Sequence, residues 1–134
     1  MNKPIEVPLK AQEDVVAVRQ LTRSQAVALG FSLVDQTKFV TAASELARNT
    51  VVHGGGGIAR IELVENGPVK GIRLTCEDQG PGIPNIERAL RDGFTTGNGL
   101  GLGLGGAKRL ANEFHIESSL GAGTRVVITH WAKR

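Results

Sequence analysis

The order of apolar patterns predicts an α/β two-layer sandwich, with a mixed, largely antiparallel sheet and its helices packed on one face. Three observations lead there. The elements read β-α-α-β-β-(α)-α-β-β along 134 residues, a length that suits one domain, 1–134. Two pairs of β-like runs are joined by glycine turns, Asn66-Gly67-Pro68 and Leu120-Gly121-Ala122-Gly123, and so read as antiparallel hairpins. The core must be aliphatic, because the chain has four Phe, one Trp and no Tyr.

Each element has its own signal. Ile5–Leu9 alternates apolar and polar residues around Pro8, which suits a short edge strand. From Gln12 to Leu29, the residues Val15, Val18, Leu21, Ala26 and Leu29 recur at helical spacing, and Gly30 is a stop. A second helix is expected from about Val34 to His53, with Phe39, Val40, Ala43, Leu46 and Ala47 on its apolar face. The run Gly54-Gly55-Gly56-Gly57 ends it. Strands follow near Ile58–Glu65 and Gly71–Glu77, then a turn from Asp78 to Pro84 and a short helix around Ile86–Arg91. Leu104–Glu113 reads as a helix, with Ala107, Leu110 and Ala111 inward. His115–Ser118 and Thr124–Trp131 read as the last two strands.

Composition excludes several classes. The net charge of +3 is spread along the chain, without the basic stripe and stacking aromatics of a nucleic-acid binder. A single cysteine, Cys76, forbids an internal disulfide and fits a reducing compartment. His53, His115 and His130 lie far apart, with no metal-ligand spacing. The N-terminus leads into no apolar run of signal length, and no stretch has the length of a membrane span. A cytoplasmic protein, binding neither nucleic acid nor membrane, is expected.

Two glycine clusters need a reason, because glycine in a regular element costs about 0.5–1 kcal/mol against alanine. Gly93 to Gly106 holds seven glycines in fourteen residues, and its second half alternates with leucine into a helix start. Such a segment lets backbone N–H groups approach phosphate oxygens, or lets a loop close over a ligand. Gly101 to Gly106 matches G-x-G-x-x-G, but no strand precedes it, and no G-x-x-x-x-G-K-[ST] is present. In the second cluster, Asp78-Gln79-Gly80-Pro81-Gly82, Asp78 stands where the apolar run Ile72, Leu74, Cys76 stops. A carboxylate there either accepts from an exocyclic amine, as on adenine, or serves the amides of its own turn. Glu45 and Asn49, four apart, share a helix face. They are either a solvated pair or a base beside a magnesium ligand.

Taken together, these segments are more specific. Ser44-Glu45-Leu46-Ala47-Arg48-Asn49, then Asp78-Gln79-Gly80-Pro81-Gly82, then Gly99-Leu100-Gly101-Leu102-Gly103-Leu104, then Gly121-Ala122-Gly123-Thr124 resemble the N, G1 and G2 boxes and closing Gly-Thr of the GHKL (Bergerat-fold) ATPases. The resemblance implies ATP held between a helix layer and a mobile lid. Asp78 would take the adenine amino group, with Thr124 nearby through water. Gly80 and Gly82 would give adenine room. Asn49 would hold Mg2+, and Glu45 would be the catalytic base. Gly99, Leu100, Gly101, Leu102, Gly103 and Leu104 would wrap the phosphates. Gly93–Asn98 would form the lid hinge, and Thr95 within it would be one of the ATP-binding residues.

The length, with neither a phosphoacceptor helix pair before the boxes nor a transducer domain after them, points within this superfamily to the stand-alone serine/threonine switch kinases. Ser-Glu-Leu-Ala-Arg-Asn, Asp-Gly-Phe-Thr-Thr-Gly and Gly-Ala-Lys-Arg-Leu-Ala-Asn-Glu-Phe are similar to the stressosome branch. Leu46-Ala47-Arg48 departs from the Glu-Ala-x-x-Asn-Ala form usual in the anti-sigma branch. The resemblance implies phosphorylation of a STAS-domain antagonist in its scaffold complex. The released kinase would then activate a PP2C-like phosphatase or another output protein. Two other readings stay open: an anti-sigma factor that binds sigma and phosphorylates an anti-anti-sigma protein, and an ATP-binding adaptor without phosphotransfer. Arg48 and Arg109 are expected on a solvated basic face, or else against a partner's acid groups or phosphate. His53 is expected at a helix end, Cys76 as a buried small hydrophobe, and Trp131 in packing.

Overall fold

The computed structural model describes residues 3–90 and 103–132. Strands β1 (Ile5–Leu9), β2 (Gly57–Asn66), β3 (Val69–Asp78), β4 (Glu113–Ser118) and β5 (Thr124–Trp131) form one sheet in the order β1-β2-β3-β5-β4. Every pairing is antiparallel, so the parallel component of a mixed sheet is absent among the described strands. The helices are α1 (Gln12–Ala28), α2 (Leu33–Val52), the single turn α3 (Ile86–Ala89) and α4 (Gly103–Leu110).

Period-two alternation sets the two faces of the sheet. Ile72, Leu74 and Cys76 on β3 and Val126 and Ile128 on β5 are buried beneath the helices, while Arg73 and Glu77 point the other way and are half-buried. On α2, Phe39, Ala43, Leu46 and Ala47 recur at helical spacing, and all are buried. Removing a side chain such as Phe39 or Leu46 from water contributes about 1.5–3 kcal/mol each, so α2 is the helix that fastens this layer to the sheet. Ser32 caps α2 by accepting the Asp35 N–H at 3.1 Å. Asp14 Oδ2 accepts the N–H groups of Lys10 and Ala11 at the start of α1, and these bonds hold its carboxyl below the usual carboxylate range. Near the entry of α2, His130 Nε2 on β5 lies 3.5 Å from Asp35 Oδ1, with the rings of Phe31 and Phe39 against it.

One expected boundary is corrected. α4 stops at Leu110, and Glu113 already belongs to β4, opposite Thr129. The pull comes from Trp131, whose backbone N–H donates to Asn112 Oδ1 at 2.8 Å and whose indole N–H donates to Glu113 Oε2 at 2.7 Å. These bonds, with strand pairing, outweigh the helical preference of an alanine-containing run.

Candidate functional site

Four residues from four strands stand side by side at one end of the sheet. Gly57 opens β2, Asp78 closes β3, Thr124 opens β5 and Ser118 closes β4, each opposite the next. A cleft of about 220 Å³ lies between this row and the helices. Leu46, Asn49, Thr50 and His53 face it from α2. Cys76, Asp78, Thr124 and Val126 face it from the sheet, Gly82, Ile83 and Pro84 from the loop after β3, and Gly103 and Leu104 from the start of α4.

Asp78 is buried, and its Oδ1 accepts the Gly80 N–H at 2.9 Å. The carboxylate therefore does serve its own turn, and Oδ2 has no hydrogen-bond partner among the described residues. Oδ2 lies against Gly54, where an added Cβ would sit 2.4 Å from it. The glycine run after α2 is thus more than a helix stop, since Gly54 makes the space that Asp78 occupies.

Gly82 has φ +81°, and a Cβ there would lie 2.1 Å from the Ser119 carbonyl oxygen. A Cβ on Gly80 would lie 2.6 Å from the Gly54 oxygen. Close backbone approach accounts for both glycines. Gly82 lines the cleft, whereas Gly80 does not.

Asn49 reaches the cleft from the last turn of α2, and its backbone carbonyl accepts the N–H groups of His53 and Gly54. His53 is the helix C-cap, as its position in the sequence leads one to expect. Glu45, one turn earlier, is only 8% exposed and does not line the cleft. Its Oε1 accepts the Gly103 N–H at 3.2 Å and so caps the start of α4. On its other side Glu45 faces a groove of about 540 Å³ between α1 and α2, lined by Arg19, Arg23 and Arg48 over Val15 and Val40. Gly103, the first residue of α4, lies between Glu45 and the cleft.

Thr124 lines the cleft directly opposite Asp78 in register. Gly103 and Leu104 also line it. Thr95, Gly99, Leu100, Gly101 and Leu102, with the Gly93–Asn98 segment, lie outside the described residues. Cys76 forms part of the floor. Burial pushes its thiol up to about 12, against a lowering hydrogen bond from Thr50, with the Asp78 charge adding to the rise. It is the buried neutral hydrophobe that the sequence suggests.

Sequence reasoning passed over Thr50, Gly54 and Ser118. Thr50 was hidden as one more helix residue. Gly54 was one of four identical neighbours. Ser118 carried the one available signal, a small polar residue ending a strand just before a glycine turn. Among the described residues no group of three or more His, Cys, Asp or Glu could hold a metal ion, and no helix is long and apolar enough to cross a membrane.

A helix layer over an antiparallel sheet, with a carboxylate, a carboxamide and a threonine around one cleft, has a counterpart among known families. Residues 34–134 match the family of histidine kinase-, DNA gyrase B- and HSP90-like ATPases, and the chain belongs to that family. Over 133 residues it is 46% identical to the serine/threonine-protein kinase RsbT of Bacillus subtilis (strain 168), covering 99% of this chain and 100% of that one. It is 31% identical over 143 residues to the anti-sigma F factor of Geobacillus kaustophilus (strain HTA426), covering 99% and 96% respectively. The fold also superposes, with a TM-score of 0.67 and 22% identity, on a crystal structure of the RsbU and RsbW domains of a Mycobacterium tuberculosis protein. That match covers 99% of this chain and 34% of the other, and the likeness is one of fold.

Proposed function

We propose that this chain is a cytoplasmic, ATP-dependent serine/threonine protein kinase of a partner-switching module. In this reading it phosphorylates a STAS-domain antagonist within its scaffold complex. Once released, it binds and activates an output protein such as a PP2C-like phosphatase. The observation that carries the reading is the convergence of Asp78, Thr124 and Asn49 on one cleft, with Glu45 beyond the Gly103 end of that cleft. Full-length similarity to a serine/threonine kinase supports it.

Each residue then has a physical task. Asp78 Oδ2 accepts from the adenine amino group, because Oδ1 is already held by Gly80. Val126, Leu46 and Ile83 give the base an apolar slot. The N–H groups at the start of α4 face the phosphates, and the helix dipole favours their charge. Glu45 is the general base toward a serine or threonine hydroxyl that arrives along the arginine-lined groove. In phosphoryl transfer most of the rate comes from this kind of positioning and charge placement.

Magnesium fits the donor set in one way only. The described residues offer no acidic cage, and Asn49 supplies a carboxamide oxygen at the cleft. A magnesium ion carried in on the triphosphate, with one protein oxygen and water completing its shell, agrees with this set. When bound it would offset charge on the phosphate oxygens.

The test is transfer of labelled γ-phosphate from ATP to a STAS-domain protein encoded by the same genome. Phosphoserine or phosphothreonine on the partner is the expected product. Normal ATP binding without transfer would leave an adaptor instead. The full-length match to an anti-sigma F factor favours a second reading, in which sigma binding is the main task. Retention of a sigma factor from the same genome on the immobilised protein would support that reading over the first.

A further inference from the structure

We infer that Ser118, which does not line the cleft, fixes the hydrogen of the Thr124 hydroxyl and thereby sets the selectivity of the site for adenine over guanine. The inference rests on the nucleotide reading of the cleft and deepens it. Ser118 Oγ meets three groups. The Ile83 N–H lies at 2.8 Å, the Gly123 carbonyl oxygen at 3.0 Å and Thr124 Oγ1 at 2.8 Å. A hydroxyl has one hydrogen and two lone pairs. Ile83 N–H can only donate, so it takes one lone pair. The Gly123 carbonyl can only accept, so it takes the hydrogen. One lone pair remains, and Thr124 must donate to it.

The hydrogen of Thr124 is thus turned away from the cleft, and its oxygen shows the cleft lone pairs alone. Directly across β3–β5, Asp78 also accepts only. The end of the cleft is therefore a pair of acceptors side by side. An exocyclic amine, which has two N–H groups, or a water between base and protein satisfies both. Guanine places a carbonyl oxygen where adenine has its amine, and that oxygen would meet lone pairs from both sides. A buried acceptor left without a donor is what gives such a site its selectivity. Ser118 touches no ligand in this scheme, so it is a positioning residue. It also ties the loop at Ile83 to the turn between β4 and β5.

The test is titration calorimetry of ATP and GTP, each with magnesium, into the full chain and its Ser118→Ala and Ser118→Thr variants. The unaltered protein should prefer ATP. Ser118→Ala frees Thr124 to turn its hydrogen toward a guanine oxygen, so the ATP-to-GTP affinity ratio should fall about tenfold, the worth of one hydrogen bond. Ser118→Thr keeps the hydroxyl and should restore the ratio. A purely structural role would weaken both nucleotides together at constant ratio, and that result overturns the inference. Should Ser118→Ala fail to fold, Thr124→Val serves in its place. It removes the acceptor, and an undiminished ratio there also overturns the inference. An unaltered protein that binds neither nucleotide overturns both this inference and the nucleotide reading. One that prefers ATP, with a ratio unmoved by Ser118→Ala, overturns this inference alone.

Discussion

Asp78 and Thr124 are paired residues, one closing β3 and the other opening β5, and both line the same cleft. Their opposition is a product of sheet register. A slip of one residue between these strands would turn one of the two side chains to the far face. The glycines around them follow from the same arrangement, since the chain must pass close behind both residues.

Asp78→Asn should abolish ATP binding with little loss of fold. The Asn oxygen still accepts the Gly80 N–H, so the turn survives. Its amide faces a donor with a donor, and the charge is gone. A fall in affinity of about a hundredfold or more is expected by calorimetry, with a melting temperature close to that of the parent.

Glu45→Gln should separate binding from transfer. The Gln oxygen can still accept the Gly103 N–H and cap α4. The base is lost, so phosphotransfer should drop by about 10²–10⁴-fold while ATP affinity holds. Glu45→Ala should also remove transfer, with an added cost to α4. Single-turnover transfer beside calorimetry reads both quantities.

Gly54→Ala should damage the site more than the fold. Its Cβ would come within 2.4 Å of the Asp78 carboxylate, so that side chain or the helix end must move. A destabilisation of about 1–3 kcal/mol is expected. Chemical denaturation measures the first effect, and an ATP affinity reduced well beyond it measures the displacement of Asp78.

Cys76 predicts a pH effect with a definite sign. Its folded pKa is raised from 9.0 to about 12. The buried thiol thus contributes stability that is complete below about pH 9 and is lost as pH rises toward 12. Cys76→Ala is less stable at neutral pH, through its cavity, but should lose less between pH 9 and 11. Denaturant melts across that range, and slow alkylation of the native thiol at pH 8, check this.

Much of the fold could be read from residue patterns because its local signals agree. The 3.6 periodicity of α2, the alternation of Ile72, Leu74 and Cys76 and the two glycine turns are each sufficient alone. The end of α4 was not readable, because Asn112 and Glu113 are claimed by Trp131, a partner about twenty residues away in the chain. Asp78, Asn49 and Thr124 could be placed at the cleft from spacing and resemblance. The orientation of Glu45 toward the α1–α2 groove could not, because it depends on where Gly103 lies. Gly54 and Ser118 act through residues distant in sequence, and contacts of that kind leave no local pattern.

The most direct measurement is a calorimetric titration of magnesium-ATP into the folded chain and into Asp78→Asn. One saturable site per chain, lost in the variant, is the predicted result. No heat of binding in the folded parent, or equal affinity in the variant, would contradict the placement of adenine on Asp78 and the function built on it.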